Sequence, residues 1–148
     1  MTVAGGLEGA DPTDLAGLRE ALAPADPEGN LDPIGMSRIE IGGDALSLLH
    51  EVVSNLARAG REAQHVVLAM DATPMRRNDG DPKDEAERLL AQQFEVRRVV
   101  LGEGRGAQLH ADEAVLAEAE AAMRDADCVV VVGSGTVTDV CKEATART

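Results

Sequence analysis

The apolar positions of this chain change rhythm several times, and each change marks an element. Over residues 1–35 no period holds; Gly, Pro, Asp and Ala dominate, and the stretch reads as a flexible N-terminal extension. One short helix fits inside it, with Thr13 as N-cap before DLAGLREAL and Ala23-Pro24 as its stop. From residue 36 the pattern becomes regular. SRIEIGG (37–43) reads as a short strand ending at Gly42-Gly43. Asp44 then stands where a cap is expected. Leu46, Leu49, Val52, Val53 and Leu56 follow at three- and four-residue spacing, and Gly60 closes the helix they predict.

Beyond this point strands and helices alternate. HVVLAMD (65–71) is an unbroken apolar run, short enough for a strand buried on both faces. RRNDGDP is a polar loop, and Asp81-Pro82 opens a helix with Ala86, Leu89, Leu90 and Phe94 on one side. VRRVVLG predicts the next strand and GEGRGAQ a loop. ADEAVLAEAEAAMRDAD predicts a helix that turns Val115, Leu116, Ala119 and Met123 inward. CVVVV is then the fourth strand. Alternation at these lengths indicates βαβ units, so the expected class is α/β, a parallel sheet covered by helices on both faces.

Composition narrows what such a fold can do. Fourteen basic residues face 27 acidic ones, a formal charge of −13, which repels phosphate backbones and anionic lipid. Phe94 is the single aromatic residue, so no stacking platform for nucleic acid can be built. Nucleic acid is therefore not an expected partner. Neither is the membrane, since no run of 18 or more apolar residues occurs. The N-terminus lacks the basic and apolar regions of a secretory signal. Cys128 and Cys141 fit no CxxC or disulfide framework, which suits a reducing cytoplasm. His50, His65 and His110 share no metal-ligand spacing.

The chemistry concentrates where the valines run into Gly133-Ser134-Gly135-Thr136. At the carboxyl end of a parallel strand, glycine permits positive φ and lets backbone approach a ligand. The amides opening the next helix, with its dipole, favour an anion such as a pyrophosphate, and Ser134, Thr136 and Thr138 add hydroxyl donors. Spacing alone leaves two readings open: a phosphate loop, or a tight strand-to-helix turn without ligand. G-S-G-T-V-T only approximates G-x-G-x-x-G, with Thr138 at the third glycine position, and no Gly-Lys-Ser/Thr follows for a Walker A loop.

The residues after the glycines extend the pattern. VVVVGSGTVTDVCK, through Gly133, Ser134, Gly135, Thr136, Asp139 and Lys142, resembles the G-G-G-S/T-x-x-D-x-x-K signature of the iron-containing alcohol dehydrogenase superfamily. The G-S-G-T form looks most like its sn-glycerol-1-phosphate dehydrogenase branch. RIEIGGDAL resembles the family's opening strand and first helix start, and VVLAMDAT the strand whose Asp contacts the adenosine ribose. The likeness covers about residues 36–148.

This resemblance implies a Rossmann-like NAD(P)-binding domain, the N-terminal half of a dehydroquinate synthase-like, iron-alcohol-dehydrogenase fold. It implies cofactor contacts from Asp71, Gly133, Ser134, Gly135, Thr136, Thr138 and Asp139. Asp139 is expected in the first turn of the last helix, facing the nicotinamide and substrate cleft. Asp71 on a ribose hydroxyl favours NAD, whereas Arg76 and Arg77 could neutralise the 2′-phosphate of NADP. The family's reaction is hydride exchange between nicotinamide and a small alcohol or polyol phosphate. A divalent metal (Fe, Zn or Ni), held by a further helical domain, polarises the oxygen there. The chain is thus expected to be truncated in the helix after the glycine loop, with no catalytic or metal residue of its own. It would bind cofactor without turnover, with a homo-oligomer left open. Two other classes compete: a non-catalytic nucleotide-binding module, and a receiver-like signalling domain with Asp71 as phosphoacceptor.

Overall fold

A computed structural model describes residues 9–30, 35–58, 64–77, 80–104 and 109–148. The chain divides into two compact units, Met1–Ala45 and Leu46–Thr148. The division falls later than the change of rhythm at residue 36.

In the first unit, helix α1 spans Leu15–Leu22. Its N-cap is Asp14 rather than Thr13: the Asp14 carboxylate accepts from the Gly17 amide at 2.9 Å. Thr13 instead turns its amide and hydroxyl onto Asp11, at 2.8 and 2.7 Å. Pro24 ends the helix in a 3-10 turn, Ala23–Ala25. The strand expected at 37–43 does not form; residues 35–41 carry no regular structure. Arg38 and Glu40 pair with each other at 2.6 Å, and Ile41 stays 68% exposed. Alternating residues favour a strand only when a neighbour supplies a ladder, and none does so among the described residues.

A 3-10 turn, Ala45–Leu48, whose last three residues belong to the second unit, leads into α2, Leu49–Arg58. Val53 is buried and Leu46 and Leu49 partly so, as the spacing predicts, but Leu56 is more than half exposed. The predicted stop at Gly60 lies outside the described residues, as do Asn78 and Asp79 of one loop and residues 105–108 of the other.

Strands β1 (His65–Met70), β2 (Glu95–Val100) and β3 (Cys128–Val132) form a parallel sheet in the order β2-β1-β3. Helices α3 (Pro82–Leu90) and α4 (Glu113–Met123) make the crossovers, and α5 (Gly135–Arg147) follows β3. The α/β class with a parallel sheet flanked by helices is thus correct, with three strands among the described residues in place of the four expected.

The central strand explains its own apolar run. Val67 and Ala69 face a core shared with α4 and α5, where Val115, Ala119, Met123, Val137, Val140, Cys141 and Ala144 are buried. Val66, Leu68 and Met70 face the opposite core, with Val53, Ala86 and Leu90. Period two on a strand covered on both faces leaves no polar position, so the sequence reads as continuous hydrophobe. Burial raises the Cys128 thiol pKa and lifts that of Cys141 to about 11, so both serve as packing residues.

Candidate functional site

The strand order reverses at β1. From β1 the chain crosses to β2 on one side, then returns through α4 to β3 on the other. The carboxyl ends of β1 and β3 therefore border the topological switch point, where open α/β sheets leave room for ligands. Register pairs Met70 with Val132, so the next residues, Asp71 and Gly133, meet there.

Asp71 is buried at 4% exposure and Lys83, from the first turn of α3, at 3%. Lys83 Nζ donates to Asp71 Oδ1 at 2.8 Å, to the Asp71 carbonyl at 2.6 Å and to the Thr73 carbonyl at 2.6 Å. Its three protons are thus engaged. Asp71 Oδ1 also accepts from the Thr73 amide at 3.2 Å. Asp71 Oδ2 accepts from the Ser134 hydroxyl at 3.0 Å and lies 3.5 Å from the Ser134 amide. Burial pushes the Asp71 carboxyl up, but the bonds from Lys83 and Ser134 and the Lys83 charge hold it below the usual carboxylate range.

The glycine turn works differently from the expectation. Neither Gly133 nor Gly135 has positive φ. A Cβ on Gly133 would meet Val137 Cγ1 at 2.6 Å and Asp71 Oδ2 at 3.3 Å, so this glycine lets α5 fold back onto the end of β3. A Cβ on Gly135 would meet nothing within 4 Å. Ser134 is the N-cap residue of α5 by backbone geometry, yet its side chain makes no capping bond because the hydroxyl goes to Asp71. Ser134 thus provides no side-chain cap for the mouth of α5.

Of the three hydroxyls expected as ligand donors, two already donate within the protein. Ser134 donates to Asp71, and Thr138 Oγ1 donates to the Ser134 carbonyl at 3.2 Å. The Thr136 hydroxyl has no partner among the described residues. Asp139 falls outside the first turn of α5, which holds no acidic residue. It lines a groove of about 500 Å³ with Ala111, Asp112, Glu113, Leu116, Val140 and Glu143, between the start of α4 and α5. Asp71, Gly133, Ser134, Gly135 and Thr136 thus cluster at the switch point, Thr138 backs the turn, and Asp139 stands apart. Arg76 and Arg77 are exposed on the segment following β1, and Lys142 is exposed on α5.

Lys83 was not singled out from the sequence. One signal was available: a helix dipole disfavours a cation in the first turn, and Lys83 directly follows Pro82 at the start of α3. A lysine placed against the dipole suggests a buried acidic partner nearby.

Compared with known proteins, the chain matches no family model, no curated protein and no solved structure. The class defined by fold and site is an open parallel α/β unit with a glycine turn at its switch point. Among the described residues, no helix is long and apolar enough to cross a membrane, and no cluster of three or more His, Cys, Asp or Glu could hold a metal.

Proposed function

We propose that the Leu46–Thr148 unit binds a nicotinamide dinucleotide, NAD or NADP, with the pyrophosphate at the mouth of α5. The observation that carries this reading is the uncapped start of α5 at the β1/β3 switch point, where Gly135 has open space on its Cβ side. In this reading backbone amides and the Thr136 hydroxyl would contact the phosphate, while Gly133 serves the packing of the turn. Asp71, engaged by Lys83 and Ser134, organises the turn; a ribose hydroxyl would have to displace one of these partners.

The sequence resemblance extends the proposal. The unit would be the cofactor-binding part of a metal- and NAD(P)-dependent oxidoreductase of the sn-glycerol-1-phosphate dehydrogenase type. Its reaction would exchange hydride between nicotinamide and a small alcohol or polyol phosphate. The described residues do not provide a donor set for the divalent metal, so no step is assigned to it.

Calorimetric titration of the full chain with NADH and NADPH tests the reading. Binding of one of them, competed by inorganic pyrophosphate and without turnover of alcohols, is the expected result. A folded sample that gives no heat with either nucleotide overturns it.

A further inference from the structure

Three side chains converge beneath the first turn of α5, and only Ser134 belongs to the glycine turn itself. Asp71 brings a full negative charge to within 3.0 Å of the Ser134 hydroxyl and 3.5 Å of its amide. A carboxylate there lies in the same positive field that would draw a phosphate, and by itself it repels an anionic ligand. Lys83 stands on its far side, 2.8 Å from Oδ1, with both side chains almost wholly withdrawn from solvent. At such burial the two charges are poorly screened, so the net charge of the pair governs the field at the turn.

We propose that Lys83 is a positioning residue for anion binding. It neutralises Asp71, so that the carboxylate can hold Ser134 in place without closing the turn to a phosphate-bearing ligand. The inference rests on the cofactor reading above. Its geometry explains why a lysine occupies the first turn of α3 against the helix dipole. The Asp81 side chain accepts from the Lys83 amide at 2.8 Å, and the two carbonyls and Oδ1 take the ammonium protons.

The test is calorimetry on the full chain with NADH and with inorganic pyrophosphate at fixed ionic strength. Wild type, Lys83→Met, Asp71→Asn and the double variant are compared, each with a circular dichroism spectrum to establish folding. Lys83→Met exposes the turn to an uncompensated carboxylate and should weaken both ligands at least tenfold, since a unit charge that water screens poorly acts strongly on a nearby anion. The double variant restores neutrality, and the amide oxygen introduced by Asp71→Asn can still accept from Ser134, so binding should return to near the wild-type level. A pair that merely braces the turn predicts the opposite: with both halves gone, the double variant binds no better than Lys83→Met. That result overturns the inference.

If Lys83→Met does not fold, Asp71→Asn decides. It leaves the ammonium in place and should bind pyrophosphate at least as tightly as wild type; weaker binding by a folded sample overturns the inference. Absence of wild-type binding removes the cofactor reading and this inference together. Wild-type binding with unchanged variants removes only the inference.

Discussion

The two ends of β1 each gather charged side chains, and they differ in almost everything else. At the amino end, His65 lies between Glu95 at 3.3 Å and Asp127 at 3.5 Å, with the histidine side chain 58% exposed. Asp127 also accepts from the Gln64 and His65 amides at 2.9 Å, and these backbone bonds hold its carboxyl below the usual range. At the carboxyl end, Asp71 and Lys83 are sealed from solvent and reach across three elements, β1, α3 and the start of α5. Water can replace any partner at the first end. At the second it cannot, so each group depends on the other.

The largest expected effect follows from that dependence. Lys83→Met leaves Asp71 buried without its cation and should cost about 3–5 kcal/mol in urea unfolding. The Asp71→Asn/Lys83→Met pair should recover much of this loss, and a double-mutant cycle measures the coupling. A loss as small as that of an exposed pair would erase the contrast between the two ends.

A second effect separates the two glycines. Gly133→Ala drives a Cβ against Val137 Cγ1 and toward Asp71 Oδ2, and about 1–3 kcal/mol of destabilisation is expected. Gly135→Ala meets open space and should change stability by less than about 0.5 kcal/mol. If the ligand approaches Gly135, this second variant should nevertheless lower NADH affinity. Equal melting temperatures for the two variants would contradict the packing role assigned to Gly133.

Of the two ends, acid should act more strongly through the buried Asp71. Its carboxyl titrates lower in the folded protein than in the unfolded chain, so its contribution is complete above the ordinary carboxylate value of about 3.9. That contribution disappears as pH falls through the folded value. Unfolding free energies measured downward from pH 6 should therefore drop less steeply for the double variant than for wild type. Parallel curves would place the acid sensitivity elsewhere. The smallest effect is expected at the amino end: His65→Ala should shift stability by no more than about 0.5 kcal/mol in the same assay. A larger loss would mean that the exposed cluster carries structural weight after all.

Much of the fold was readable from residue types alone, because local rules and tertiary packing agreed there. The inward positions of α4, Val115, Leu116, Ala119 and Met123, are those its period predicts. The unbroken run of β1 signalled burial on both faces, and β1 is the central strand. The failures occurred where local pattern needed a partner. Residues 37–43 have the composition of a strand, but a strand exists only as part of a ladder. Asp139 was placed near the glycine turn, but the helix begins at Gly135, and progression around α5 carries Asp139 toward the groove beside α4.

The candidate site divides in the same way. That a glycine turn ends an apolar strand and opens a helix is a local fact, carried by the run Gly133-Ser134-Gly135 and its neighbours. Which groups meet beneath that turn is not local. Lys83 lies 12 residues after Asp71, and Ser134 lies 63 residues after it. The parallel register of β1 with β3 and the start of α3 over the end of β1 bring the three together. The order of residue types determined the periods and the turn, and composition the charge. Tertiary structure decided that Asp71 faces inward, because burial beside a lysine leaves its charge few partners other than that lysine and the turn it holds.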